Sequence, residues 1–328
     1  MTLKNSNLLL LVALSFCSLG ADMKGCEGME GDSPFELEED RPFDGIVNGE
    51  ETNYESFTGV IGLYYSLGTS GAMCTGTLID PRVILTAGHC VYGPSDGIDA
   101  TANPGNLMIL GGPDLSDQAS VIHYPDVEEV VKHPEWGGQI TMTSVDLAMV
   151  KLKEPLTTTE MYRVRETDDF DTGTTGKIVG YGLSSSADQN SSGIHRMGDT
   201  QVQGKLDHYI NLGDPAGTCQ GDSGGPFFTM VDGFWQVTGV TSLGLYGEEC
   251  NPNDGSVDVN VVMMRDWVDD TMNDFVGYGL ADVFPEEDTD AGIPPDAGSG
   301  VSNPDDGCGC SLTGGSAHTA SVLTTIFG

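Results

Sequence analysis

A serine hydroxyl becomes a useful nucleophile only when a base stands beside it and N–H groups await the charge its attack creates. One stretch of this 328-residue chain has the composition for that task. It reads Cys219-Gln220-Gly221-Asp222-Ser223-Gly224-Gly225-Pro226. Glycines beside Ser223 permit a tight, sterically open turn. Such a turn aims backbone N–H groups into one concavity that can hold an oxyanion. Bases are scarce, since the chain has six histidines. His89 stands out in Leu85-Thr86-Ala87-Gly88-His89-Cys90, after an apolar run and before a cysteine that can pin it. That base needs an orienting carboxylate. Asp146 leads the apolar run Leu147-Ala148-Met149-Val150-Lys151-Leu152 and is placed for burial. The chemistry these residues point to is acyl transfer, with Ser223 as nucleophile, His89 as base and Asp146 as its orienter.

Residues so far apart in sequence meet only on a scaffold that brings them together. Short apolar stretches rich in β-branched and aromatic residues occur at 60–65, 75–79, 83–86, 107–110, 148–152, 177–179 and 235–240. Gly, Pro, Asp and Ser separate them, which predicts a multi-stranded antiparallel barrel or sandwich. One segment, 262–275, has helical spacing, with Val262, Met263, Trp267, Val268 and Met272 set among acids.

Charge excludes several functions. Thirteen Lys+Arg against 50 Asp+Glu give a net charge of −37. Nucleic-acid binding needs a basic footprint, and so does docking on an anionic membrane. Residues 1–21 read as a secretory signal: Lys4, a short apolar core around residues 8–14, then Ser18, Gly20 and Ala21. The apolar run is too short to span a membrane stably. Export leads to an oxidising compartment where cysteines pair, so the expected location is extracellular. Residues 22–45 form an acidic pro-segment, 46–280 the catalytic domain, and 281–328 a disordered acidic linker with a cysteine-containing tail. No metal or cofactor is called for. No histidine pair has ligand spacing, and Cys308 and Cys310, one residue apart, do not make a tetrahedral site.

The four segments Ile46-Val47-Asn48-Gly49, Leu85 to Cys90, Asp146 to Leu152 and Cys219 to Pro226 occur in an order that resembles the trypsin/chymotrypsin-like serine peptidases. The resemblance runs from Ile46 to about Phe275. Gly221 to Pro226 is similar to that family's nucleophile motif. Thr86-Ala87-Gly88-His89-Cys90 is similar to its histidine motif, with Gly88 where Ala is usual. Gly180-Tyr181-Gly182 resembles a Gly-Trp-Gly motif, and Trp267-Val268 fits the C-terminal helix. The resemblance implies an all-β fold of two six-stranded antiparallel barrels with a C-terminal helix. It implies a secreted endopeptidase with His89, Asp146 and Ser223 as triad and the N–H groups of Gly221 and Ser223 as oxyanion hole. It also implies the disulfides Cys74–Cys90 and Cys219–Cys250, each stabilising by about 3 to 4 kcal/mol in the loop-entropy picture. Protein or peptide substrates follow.

The same resemblance implies activation by cleavage before Ile46, whose new ammonium pairs with Asp222. Gly45 precedes Ile46, so the activating protease has a specificity other than trypsin's. In the specificity pocket Gly217 takes the floor position, and Ser242, Leu243 and Gly244 take the substrate-pairing wall. A glycine floor implies neutral or apolar preference, whereas Asp254 or Asp258 turned into the pocket would favour basic side chains. The tail, a Pro/Asp/Ala/Gly linker ending in Gly307-Cys308-Gly309-Cys310, resembles the cell-surface sorting segments of myxobacterial-type secreted bacterial proteins. Two rival functions fit less well. A catalytically dead binding module has no need of a complete triad. An α/β-hydrolase requires the order Ser, Asp, His with a helix after the nucleophile, whereas here the order is His, Asp, Ser.

Overall fold

The computed structural model describes residues 46–284, apart from 142, 157–158, 186, 245–249 and 251–254. The expected signal, pro-segment and Gly-Cys-Gly-Cys tail lie outside the described residues. The first half contains β1 (Glu50–Glu51), β2 (Val60–Ser66), β3 (Gly71–Asp80), β4 (Val83–Thr86), β5 (Tyr92–Gly93), β6 (Ile98–Asp99), β7 (Leu107–Gly111), β8 (Ile122–His123), β9 (Val127–Lys132) and β10 (Ala148–Leu152). The second contains β11 (Arg163–Val164), β12 (Thr175–Gly180), β13 (Arg196–Leu206), β14 (Tyr209–Gly213), β15 (Pro226–Val231), β16 (Phe234–Gly244) and β17 (Ser256–Asn260). All seven expected apolar stretches fall inside these strands.

Strands of the second half pair in the order β13-β12-β15-β16-β17-β14, and β14 pairs back onto β13, so six strands close into a ring. Closure removes the free edges of the sheet. The first half is a seven-stranded sheet, β8-β7-β2-β3-β4-β10-β9. Among the described residues its two end strands do not pair, so the expected pair of six-stranded barrels is realised as one closed barrel and one curled sheet. Ile46 packs into the second half with Phe170, Ile178, Val202, Ile210, Leu212, Ala216 and Phe227.

The sequence pattern explains the ends. Helix α2 (Arg265–Val276) buries Val268, Thr271, Met272 and Phe275, spaced one or two turns apart on one face. It stops at Gly277 in the left-handed region, φ 86°, whose N–H bonds Asn273 O at 2.9 Å. The helical spacing began at 262, but residues 261–264 form a tighter 3-10 turn, opened by Asn260 Oδ1 accepting from Val262 N at 3.2 Å. Residues 281–283 belong to a short helix, Leu280–Val283, held because Leu280 is buried and its N–H bonds Asp269 Oδ1 at 2.7 Å. No helix among the described residues is long and apolar enough to cross a membrane.

Candidate active site

His89 lies in a four-residue helix, α1 (Gly88–Val91), directly after β4. Its Nδ1 is 2.7 Å from Asp146 Oδ2, and its backbone N–H donates to Asp146 Oδ1, also at 2.7 Å. Nδ1 carries the proton in that pair, which leaves Nε2 free to accept one. Burial pulls the His89 pKa down, but the charge and hydrogen bond of Asp146, aided by Asp96, outweigh it and the pKa is raised. Asp146 is wholly buried, and Ser242 Oγ donates to its Oδ2 at 2.6 Å. Ser242 reaches it because the β16–β17 register slips between Thr241 and Leu243, a bulge that re-aims the intervening side chain. From the second half, His208 Nε2 and Tyr209 OH both donate to Ser144 O, at 2.8 and 2.6 Å, and so hold the loop that delivers Asp146.

Ser223 occupies the turn before β15. Its carbonyl accepts from Thr75 N at 2.8 Å and lies 3.5 Å from Cys90 Sγ, so the turn sits against the residue following His89. Gly224 has φ +83°, and a Cβ there would stand 2.1 Å from Thr86 Oγ1, which restricts the position to glycine. Gly224 N donates to Thr241 O at 2.8 Å, and Thr241 N donates to Gly225 O at 2.9 Å. Thr75 Oγ1 bonds Gly221 O at 2.8 Å. No hydrogen bond joins Ser223 Oγ to His89 among the described residues; in unliganded enzymes this contact commonly tightens only on substrate binding.

Asp222 is buried and accepts from Gly182 N at 2.8 Å and Cys219 N at 2.9 Å. A Cβ on Gly180 or Gly182 would fall 2.3 to 2.6 Å from atoms of Asp222, so the Gly-Tyr-Gly motif is the space this carboxylate fills. Burial pushes the Asp222 pKa up to about 7 against these bonds and the charge of Arg196. No ion pair joins Ile46 to Asp222 among the described residues.

A family model described as Trypsin matches residues 46–268. The chain belongs to the trypsin family, whose members are serine-type endopeptidases. It is 24% identical over 258 residues to urokinase-type plasminogen activator of Gallus gallus, covering 70% of this chain and 57% of that protein. It is 27% identical over 226 residues to chymotrypsin-like elastase family member 1 of Macaca fascicularis, covering 60% of this chain and 78% of that protein. The Bos taurus elastase is similar at 27% over 219 residues, with 60% and 78% covered.

Among trypsin-family features, both expected disulfides are present, Cys74–Cys90 and Cys219–Cys250. The first brings both sulfurs within 4.8 Å of a His89 ring nitrogen, but paired sulfurs offer no thiolate to a metal. Gly88 departs from the usual alanine for a local reason. A Cβ there would lie 2.7 Å from the Trp136 ring and 3.0 Å from Asp146 Oδ1. Trp136 is buried and donates from Nε1 to Tyr92 O at 2.8 Å, so the indole takes the place of the missing methyl. Of the expected pocket residues, Gly217 bridges to Val47 through its N–H, 3.0 Å from Val47 O. Leu243 pairs with Val257, and Gly244 is exposed with open space around it. Asp258 is wholly buried and, among the described residues, its side chain accepts from Ser256 Oγ at 3.1 Å and Thr241 Oγ1 at 3.4 Å. Three supports of His89, Asp146 and Ser223 carry no motif in the sequence: Thr75, Trp136 and the Ser242 bond to Asp146. The only sequence signal for Thr75 was its place beside Cys74.

Proposed function

We propose that this trypsin-family chain is an exported endopeptidase that cleaves protein or peptide substrates through Ser223, His89 and Asp146. His89 Nε2 takes the proton of Ser223 Oγ as that oxygen attacks the scissile carbonyl. The resulting oxyanion is received by the N–H groups of Gly221 and Ser223, neither of which donates to another group within the described residues. His89 then passes the proton to the leaving amine, and an acyl-enzyme remains. Water, deprotonated by the same nitrogen, attacks the ester and restores Ser223. Asp146 holds the imidazole in the right tautomer and stabilises the imidazolium. The backbone of Ser242, Leu243 and Gly244 pairs with the substrate above Gly217, while the Ser242 side chain stays on Asp146. Cleavage before Ile46 by another protease releases an ammonium for Asp222, and the tail retains some of the enzyme at the cell surface.

The observation that carries this reading is the 2.7 Å bond between His89 Nδ1 and a wholly buried Asp146, with Ser223 held against the next residue, Cys90. The test is a fluorophosphonate probe together with casein hydrolysis by the secreted protein. Labelling of Ser223 and proteolysis, both abolished in Ser223→Ala, is the expected result. A folded protein that neither labels nor cleaves would overturn it.

A further inference from the structure

Asp222 poses a problem that its two amide donors do not solve. A carboxylate withdrawn from water is costly unless a cation accompanies it, and Asp222 is only 1% exposed. In the family's usual arrangement that cation arrives with cleavage. Here Ile46 is itself buried while still joined to Gly45, so its nitrogen is an uncharged amide.

The sheet offers another cation. Gly180 of β12 stands opposite Arg196 of β13, and Arg196 stands opposite Glu51 of β1. Residues directly opposed on neighbouring strands project to the same face, with Cβ positions about 5 Å apart. The missing Cβ of Gly180 would be 2.3 Å from Asp222 Oδ1. Across that face the order is therefore Asp222 over Gly180, then Arg196, then Glu51. Arg196 is 4% exposed; its Nη1 donates to Ser191 O at 2.7 Å, and its Nη2 lies 3.9 Å from Glu51 Oε1. Ser191 Oγ in turn accepts from Ser184 N at 3.0 Å, so the guanidinium also braces the loop that presents Gly182 N to Asp222. A guanidinium stays charged at every working pH.

We infer that Arg196 is a positioning residue that supplies the counter-charge for Asp222 in the uncleaved chain, so that the turn at residues 221–223 is formed and Ser223 reacts before Ile46 is freed. This rests on the peptidase reading above. Cleavage then adds a second cation to a turn already in place, and the enzyme is active as a single chain.

The experiment treats full-length secreted protein with a fluorophosphonate probe and separates the products by intact mass. If every secreted molecule begins at Ile46, a Gly45→Pro chain supplies the uncleaved form. Labelling of uncleaved chains as well as those beginning at Ile46 is expected. In Arg196→Gln, labelling of the uncleaved form should fall by about 30-fold or more, as expected for losing one partner of a buried charge pair. The form beginning at Ile46 should lose little, and Arg196→Lys should restore most of the loss. A purely structural role would weaken both forms alike, and that outcome overturns the inference. So does labelling confined to chains beginning at Ile46, which leaves the peptidase reading intact. Failure to label either form sinks that reading itself.

Discussion

The two halves of the molecule supply the site by different means. The first half gives side chains, His89 after β4 and Asp146 before β10, tied to one another by two hydrogen bonds of 2.7 Å. The second half gives a backbone: a glycine-lined turn whose shape is set by Thr241, Gly224 and Gly225 and by the buried Asp222 beneath it. A side chain can be re-aimed by one neighbour. A turn needs every residue around it to be small or hydrogen-bonded. Loss of a first-half side chain of the site should therefore show in rate, and disruption of the second-half turn in rate and stability together.

The largest expected effect is on the first half alone. Asp146→Asn should lower kcat/KM by about 10⁴-fold, through the wrong imidazole tautomer, with an unchanged circular dichroism spectrum. The disulfides test the stability side. By loop length, replacing Cys219 and Cys250, 31 residues apart, should cost about 3.7 kcal/mol; replacing Cys74 and Cys90, 16 apart, should cost about 3 kcal/mol. Urea titration reads both. If the Cys219–Cys250 loss also reduces probe labelling while the folded fraction is held equal, the turn depends on that bridge. Ser242→Ala comes next: losing a hydrogen bond to a carboxylate should reduce kcat/KM by about 10- to 100-fold. An unaffected rate would mean His89 alone orients Asp146.

Two smaller effects depend on pH. Asp258 is buried with no cation within the described residues, and its pKa is pushed up to about 7. The folded state keeps a proton that the unfolded chain releases near pH 4, so stability declines as pH rises from about 4 to about 7. In Asp258→Asn that decline should flatten, with a urea midpoint at pH 8 above that of the native chain. A steeper decline would contradict it. The smallest shift concerns His89. Its pKa is raised in part by Asp96, and activity needs the neutral ring. Asp96→Asn should move the acid limb of kcat/KM to lower pH by a fraction of a unit, and an upward move would count against the geometry.

Legibility in the sequence followed the same division. Strands such as β4, buried at every position, announce themselves as apolar runs. β13 does not, because Arg196-Met197-Gly198-Asp199-Thr200-Gln201-Val202 alternates buried with exposed or half-buried positions and puts Arg, Gly and Thr among the buried ones. Its core face is built from small and polar residues that fit beside Ile46 and Asp222, so no hydrophobic period marks it. The proposed triad was legible because histidines are few, six in the chain, and the order of the motifs is informative. Its supports were not. Gly88 reads as an oddity until Trp136 is seen in the space beside it, and Ser242 reads as a pocket wall until the bulge turns it toward Asp146. Such contacts depend on register and on which residue fills a gap, and neither is encoded locally.

Thr75 joins the two modes of construction. From β3 in the first half its N–H holds Ser223 O, its hydroxyl holds Gly221 O, and the same oxygen lies 3.2 Å from Tyr181 N. One residue therefore rivets the curled sheet to both shoulders of the nucleophile turn. Together with the apolar core that both halves share, those bonds couple their unfolding. Scanning calorimetry should record a single heat-absorption peak for the native enzyme, and the two lobes should part company only once that rivet is drawn.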